Sequence, residues 1–410
     1  MLTFLASSAK SNLCRALRTR LSLAAARGLR RFDLRAPARS VVASCRPAAS
    51  QPTRVRPTEV SRLHSKSFSA DVIRWQAEHG RHDLPWQRNR DPYRVWLSEI
   101  MLQQTQVSTV LAYFDRFLQR FPNVLVLAAS SVDDVLALWS GLGYYSRARN
   151  LHRCAQRVAT EFGGEFPKSA EQLAQLPGIG RSTAAAIAAF CFNERVAILD
   201  GNVKRVLGRV LAFPGDLAQA AQERILWAQA TELLPQQGVA AYTQGLMDLG
   251  ATLCLIRQPQ CPRCPVQRHC QARLAGEPTR YPIKTRKLKR GAREHHWLWV
   301  AHGDRLWLTQ RPATGIWAGL WSLPEFSDAN ELNHLLATWP GQSEALPSFV
   351  HVLTHLDWTL RPVRHTLPTR LAASTLSRVM QQLPPGQWFT REQALTLGVS
   401  APLKKWLLAA

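Results

Sequence analysis

Between Ser67 and about Ala275, apolar residues recur at three- and four-residue spacing, and nothing alternates with period two for long. Val95, Trp96, Ile100, Met101, Val107, Leu111 and Phe114 keep this spacing through a stretch too long for a strand. The same periodicity predicts helices over 132–140, 145–161, 181–192, 202–212, 219–233 and 236–252, several separated by short breaks bearing Gly or Pro. The first domain is therefore expected to be all-α. Residues 276–294 are basic, hold two prolines and lack periodicity, so they read as a linker. Beyond them the texture changes. Trp297-Leu298-Trp299-Val300 and Leu306-Trp307-Leu308 flank Gly303-Asp304, which predicts a β-hairpin. A strand pair over about 347–363 and helices near 328–337 and 400–409 complete an α+β second domain.

Composition adds a partner to this outline. The 410 residues suffice for two or three domains, and 46% hydrophobic with 20% charged residues suits a chain with a sizeable core. Lys and Arg number 52 against 28 Asp and Glu, a formal net charge of +24. So large an excess points to a polyanion, with nucleic acid foremost, and away from small neutral metabolites. No apolar run is long enough to span a membrane. Residues 1–60 carry +10 of the charge and the remainder +14. The first 65 residues, rich in Arg, Ala and Ser, are expected to be a disordered extension. Either this is a basic tail or upstream reading-frame extension of a bacterial protein, or it is an organellar transit peptide.

Three features carry candidate chemistry. Cys254, Cys261, Cys264 and Cys270 follow a C-x6-C-x2-C-x5-C spacing, and four thiolates this close can wrap one metal centre. Zinc suits four cysteines as well, although its commonest pattern is two close C-x2-C pairs, and disulfides are the alternative to any metal. Leu176-Pro177-Gly178-Ile179-Gly180 lies between two helical segments. Its glycines allow a tight turn, and the helix beginning near Arg181 offers a positive end to a phosphate. A plain turn fits the same residues. Asp200, in Leu199-Asp200-Gly201-Asn202-Val203-Lys204-Arg205-Val206, has the position of an N-cap, which is compatible with meeting positive charge on a sugar.

The hairpin, the downstream Asp and the four-cysteine loop, in this order, resemble the helix-hairpin-helix DNA glycosylases of the endonuclease III superfamily. Within it, Leu84-Pro85-Trp86, the run Trp96–Gln106, Gly141-Leu142-Gly143-Tyr144-Tyr145-Ser146-Arg147-Ala148-Arg149 and the Asp200 motif resemble the MutY-type adenine DNA glycosylases. The similarity covers about residues 67–410. It implies an all-α helix-hairpin-helix glycosylase domain over 66–275, with a [4Fe–4S] cluster on the four cysteines, and an α+β Nudix-like domain over 295–410. It also implies removal of adenine mispaired with 8-oxoguanine or guanine in double-stranded DNA by a monomer with no membrane partner. A bacterial cytoplasmic, nucleoid-associated enzyme is expected, or a mitochondrial one if the head is a transit peptide.

Residue by residue, the resemblance makes Glu99 the acid that protonates the leaving base. Asp200 is the anion beside the developing sugar cation, and Asn202 orients Asp200 or the water. Burial beside Trp96, Ile100 and Met101 would raise the Glu99 pKa and favour that role, whereas a lone helical Glu is ordinarily a solvated one. Gln104, Thr105 and Tyr144 match positions at or around the lesion, while Pro177, Gly178 and Gly180 form the DNA-facing hairpin. Trp86 and Gln244 match the base pocket, Trp86 being equally suited to ordinary packing. Ser182 stands where bifunctional relatives carry the Schiff-base lysine, so strand cleavage through an imine is not expected. Residues 295–325 resemble the Nudix-like lobe, but the following segment has only Asp328 and Glu331 as acids, too few for a Nudix Mg²⁺ site. Thr354 and His355, in a loop Phe349-x-His351-x-x-Thr354-His355, are the expected 8-oxoguanine contacts. The alternatives are a lyase for oxidised pyrimidines, a non-catalytic iron–sulfur DNA binder and a Nudix hydrolase.

Overall fold

The computed structural model describes residues 60–285 and 289–409, with side chains from Lys66 onward. The expected disordered head lies outside the described residues except at its end, where Val60 already opens a helix. The helical part comprises α1 (Val60–His79), α2 (Pro92–Leu102), α3 (Val107–Arg120), α4 (Val124–Ala129), α5 (Val132–Trp139) and α6 (Ser146–Phe162). It continues with α7 (Ala170–Leu173), α8 (Arg181–Phe192), α9 (Gly201–Val210), α10 (Ala220–Glu232), α11 (Val239–Thr252) and α12 (Gln271–Leu274). Side-chain caps start α2, α4, α5 and α9: Asp91, Asn123, Ser131 and Asp200 each accept from a backbone N–H in the first turn. The periodic stretch 95–114 is two helices, not one. It breaks at Gln103–Gln106, where Gln104 takes φ 58°. Apolar spacing persists across the break because both helices pack into one core around Trp96, Phe114 and Phe117.

The sheet part comprises β1 (Gly291–His302), β2 (Arg305–Gln310), β3 (Trp321–Ser322), β4 (Glu325–Phe326), α13 (Ala329–Ala337), β5 (Gln342–Ala345), β6 (Phe349–Val352) and β7 (Leu356–Leu367). It ends with α14 (Ala373–Gln381), β8 (Gly386–Thr390), α15 (Arg391–Leu395) and α16 (Ala401–Ala409). The sheet order is β3-β2-β1-β7-β5, with β4 beside β1, β6 beside β7 and β8 beside β2. Strands β1 and β2 form the expected hairpin, while β1 and β7 pair in parallel from Gly291↔Leu356 to His302↔Leu367. Strand β1 thus begins inside the segment read as a linker. Its first four residues are exposed and carry no apolar signal, so backbone pairing alone makes them strand. Two other residues of that segment are tethered as well: Leu217 N–H donates to Ile283 O at 3.0 Å, and Thr285 N–H to Asp216 at 3.2 Å. The strand pair expected over about 347–363 is β6 and β7, so Phe349 and His351 of the expected loop lie in β6, packed on Trp297 and Trp317.

One hydrophobic cluster runs from Leu136 and Trp139 of α5 into Trp297, Trp317 and Leu320 of the sheet part. Ser140 Oγ and Tyr145 Oη donate to Val399 O at 2.9 and 3.3 Å, and Arg149 donates to Ala318 O at 2.6 Å. The two parts therefore share a core.

Candidate active site

A cleft of ≈ 1610 Å³ opens among α2, α8, α9 and α11, roomy enough for an extruded nucleotide and its neighbours. Glu99, Asp200, Asn202, Gln104, Thr105, Ser182, Trp86 and Gln244 all line it. They arrive from several separate elements. Glu99 sits midway along α2, whose other face carries the buried Trp96, Ile100 and Met101. Its carboxyl accepts no hydrogen bond among the described residues. Burial, and secondarily the Asp200 charge, push its pKa up to about 8. Asp200 caps α9, Oδ1 accepting from Val203 N–H at 2.7 Å. Burial raises its pKa too, but the cap bonds and the charges of Arg205 and Lys204 oppose the rise. One carboxyl is left bare and the other is solvated by donors. This asymmetry leaves less to oppose the effect of burial on Glu99, which keeps its proton near neutrality.

Neighbouring groups fix the amides. Arg205 Nη2 donates to Asn202 Oδ1 at 2.9 Å and to Gly250 O at 2.6 Å, while its Nε reaches Cys254 O at 2.7 Å. Asn202 is thereby left with its NH₂ free. Gln244 Nε2 donates to Asp248 Oδ1 at 2.9 Å, which leaves its carbonyl oxygen for the cleft. Asp248 is fully buried and bound by Arg81 through a 2.7 Å ion pair and a 3.0 Å backbone N–H bond. Ser182 Oγ accepts from Leu199 N–H at 3.1 Å, holding the segment just before Asp200. Trp86 is 6% exposed, packs edge-on against Phe114 at 5.3 Å, and borders the cleft.

Other expected residues lie outside the cleft. Gly178 has φ 78°, and a Cβ there would sit 2.7 Å from Asn150 Cβ, so the hairpin tip requires glycine. Pro177 and Gly180 flank it, and Gly180 is the N-cap residue of α8 with open space around it. Tyr144 is exposed, with φ 48°, and its hydroxyl lies 2.8 Å from Thr354 Oγ1 across the two parts of the molecule. Thr354 and His355 occupy the β6–β7 turn, closed by Leu353 N–H donating to Leu356 O at 2.8 Å.

Cys254, Cys261, Cys264 and Cys270 line one small cavity closed by Val206, Val210, Leu249 and Val266. All four are free thiols, which removes the disulfide alternative. Burial pushes the Cys264 thiol up to about 12, and the other three cysteines add to the rise. Thiols that raise one another in this way form a single donor set, which a cationic metal centre would stabilise as thiolates. Among the described residues, no three His, Cys, Asp or Glu side chains form a single-ion site. Arg209, 2% exposed, ties this loop to α9, donating to Cys254 Sγ at 3.3 Å and to Leu255 O at 2.7 Å.

Sequence reasoning missed Arg81, Asp248, Arg205 and Arg209. Asp248 had one available signal, its position four residues beyond Gln244 on the same helix. The arginines had none, because a buried arginine is indistinguishable in sequence from an exposed one.

Comparison with known proteins identifies the family. Residues 97–230 match the model of the HhH-GPD superfamily of base excision DNA repair proteins, and residues 296–409 match a NUDIX domain. An adenine DNA glycosylase of Buchnera aphidicola is 36% identical over 343 residues, 83% of this chain and 96% of that one. The adenine DNA glycosylase of Homo sapiens is 33% identical over 407 residues, 83% and 73% of the two chains. A solved thermostable thymine-DNA glycosylase is 26% identical with a TM-score of 0.47, covering 52% of this chain and 98% of that one. The protein thus belongs to the adenine DNA glycosylase family, hydrolases of the helix-hairpin-helix superfamily with an appended Nudix-like part.

Proposed function

We propose that this enzyme excises adenine mispaired with 8-oxoguanine or guanine from double-stranded DNA, as a monofunctional glycosylase that acts as a monomer and leaves an abasic site. The carrying observation is the unequal pair of carboxyls in one cleft, Glu99 stripped of donors and Asp200 supplied with them. Glu99 gives its proton to adenine N7 as the C1′–N9 bond breaks and the bonding pair leaves with the base. Asp200 stabilises the oxocarbenium-like sugar, and Asn202 turns its free NH₂ toward Asp200 or the attacking water. The Gln244 carbonyl, turned out by Asp248, accepts from the exocyclic amine of adenine and would meet the like-charged O6 of guanine. Ser182 has no amine, so no imine forms and strand cleavage is left to other agents.

The sheet part reads the opposite base in this account, through Thr354 and His355 at an exposed turn beside Tyr144. It does not hydrolyse nucleotides. Glu325, the acid nearest the Nudix-like segment, is ion-paired to Arg311, with His295 3.6 Å away. The cysteine set fits the [4Fe–4S] cluster that the family resemblance implies, since the four thiols ring one cavity. Held by Cys254, Cys261, Cys264 and Cys270, the cluster would brace the loop beside α9. Iron and sulfide analysis of the purified protein checks this. Among the described residues, no helix is long and apolar enough to cross a membrane, and the reading requires the compartment that holds DNA, the bacterial cytoplasm and its nucleoid.

The test incubates the protein with duplexes holding adenine opposite 8-oxoguanine, opposite guanine and opposite thymine, and compares strand breaks with and without alkali. Breaks that need alkali and favour the first two duplexes are expected. Equal breaks without alkali would mean a lyase, and binding without breaks a recognition protein.

A further inference from the structure

Arg147 is 7% exposed and takes no part in the chemistry above. Its guanidinium has no carboxylate partner among the described residues. Nη1 donates to the carbonyls of Ile100, Met101 and Gln103 at 2.9, 2.8 and 2.6 Å. Nη2 donates to Thr105 Oγ1 at 3.1 Å and to the carbonyls of Leu142 and Gly143 at 3.3 and 3.2 Å. The rings of Trp139 and Tyr144 each cover it at 5.4 Å. A buried charge is costly unless it is compensated, and here the compensation is built from backbone oxygens of two loops and the negative end of α2.

Those two loops have something in common. One carries Gln104 at φ 58°, the other Tyr144 at φ 48°, both in the left-handed region that side-chain-bearing residues rarely occupy. Such strain persists only where the surroundings over-determine it. The planar fork of one arginine serves both loops at once, whereas a lysine, with a single nitrogen, could satisfy only part of the cage.

We propose that Arg147 is a positioning residue that joins the Gln104 and Tyr144 loops into one rigid wedge anchored on the end of α2, so that opening of the duplex delivers adenine to Glu99. This rests on the reading above that Gln104 and Tyr144 enter the DNA. The arginine touches neither DNA nor base. Its effect is to hold two contact residues of separate segments at a fixed spacing.

Single-turnover excision with saturating enzyme distinguishes this role from mere support of the fold. Two DNAs are compared: adenine paired with 8-oxoguanine, and adenine unpaired in a bulge, already out of the stack. Arg147→Lys is expected to slow excision about a hundredfold on the paired duplex, the cost of a small misplacement, and to stay near wild type on the bulge. A 2-aminopurine in place of the paired adenine should lose its fluorescence rise on binding in the same variant. Equal slowing on both DNAs would overturn the proposal, as would no slowing on either. Thr105→Val removes one of the six polar contacts at a partly buried site. It should slow the paired duplex by about three- to tenfold more than the bulge, the worth of one hydrogen bond. That variant decides the matter if Arg147→Lys does not fold. Gln104→Ala and Tyr144→Ala separate the premises. If neither slows paired excision, the wedge reading fails and the proposal with it. If both do while Arg147→Lys matches wild type, the proposal alone fails.

Discussion

The chemistry proposed above turns on a single carboxyl of the cleft, Glu99. With its pKa at about 8 against an ordinary 4.5, the folded protein holds a proton there that the unfolded chain has already released. The raised value means that this contribution to stability is complete below about pH 4.5 and is lost as pH rises through about 8. Glu99→Gln removes the titration and keeps the shape. Its melting temperature should match wild type near pH 4.5 and exceed it increasingly toward pH 8, as scanning calorimetry across pH would record. Excision should meanwhile fall about 10²- to 10⁴-fold, the worth of a general acid. In the wild type, the single-turnover rate should decline as pH rises past about 8. A rate that climbs through that range would remove Glu99 from the acid's role.

At the scale of elements, the N-cap of α9 is where stability and the proposed function meet. Asp200 accepts from Val203 N–H, and a cap of this kind is worth about 1 kcal/mol. Asparagine caps a helix as well as aspartate but carries no charge to set against the sugar cation. Asp200→Asn is expected to unfold at the same urea concentration as wild type while losing excision about 10²-fold or more. Asp200→Ala should lose excision and about 1 kcal/mol of stability together. Urea midpoints and single-turnover rates for the pair would show whether the carboxylate does more than cap. The break between α2 and α3 makes the same point in reverse. Its loop leaves no gap in the apolar periodicity, yet the backbone turns there on Gln104 and brings Thr105 within reach of Arg147.

Across the whole molecule, the helical and sheet parts meet without an aqueous gap. Leu136 of α5 packs against Gly398, where a Cβ would lie 2.8 Å from Leu136 Cβ and 3.1 Å from its carbonyl carbon. Close approach here also brings Val399 O to Ser140 and Tyr145, and Thr354 to Tyr144. Gly398→Leu should therefore loosen the contact by about 1–3 kcal/mol, the usual cost of overpacking. Calorimetry should show one thermal transition in the wild type and two in the variant. Discrimination between 8-oxoguanine and guanine opposite adenine should fall while excision from both persists. A single transition with unchanged discrimination would mean that the contact does not hold the two parts in register.

The sequence alone determined whatever rests on local burial. Period-three-to-four spacing was enough to draw α5, α6 and α8 to within a residue or two, because an amphipathic helix writes its buried face into neighbouring positions. The β1–β2 hairpin was legible for the same reason, and net charge announced a polyanionic partner. Motif resemblance supplied the family and the candidate residues, and eight of these line one cleft. Local pattern failed at the first residues of β1, which are exposed and held only by pairing with a strand far along the chain. It failed too for α14, β8 and α15, short elements whose burial depends on partners from the rest of the sheet part. Tertiary structure alone decided which carboxyl is bare and which is supplied with donors, which face of Gln244 meets the cleft, and which arginines are buried. The physical reason is common to all three. Desolvation and hydrogen-bond partnership are properties of the neighbourhood, and residues such as Arg147, Asp248 and Arg209 acquire neighbours from segments that no local pattern brings together.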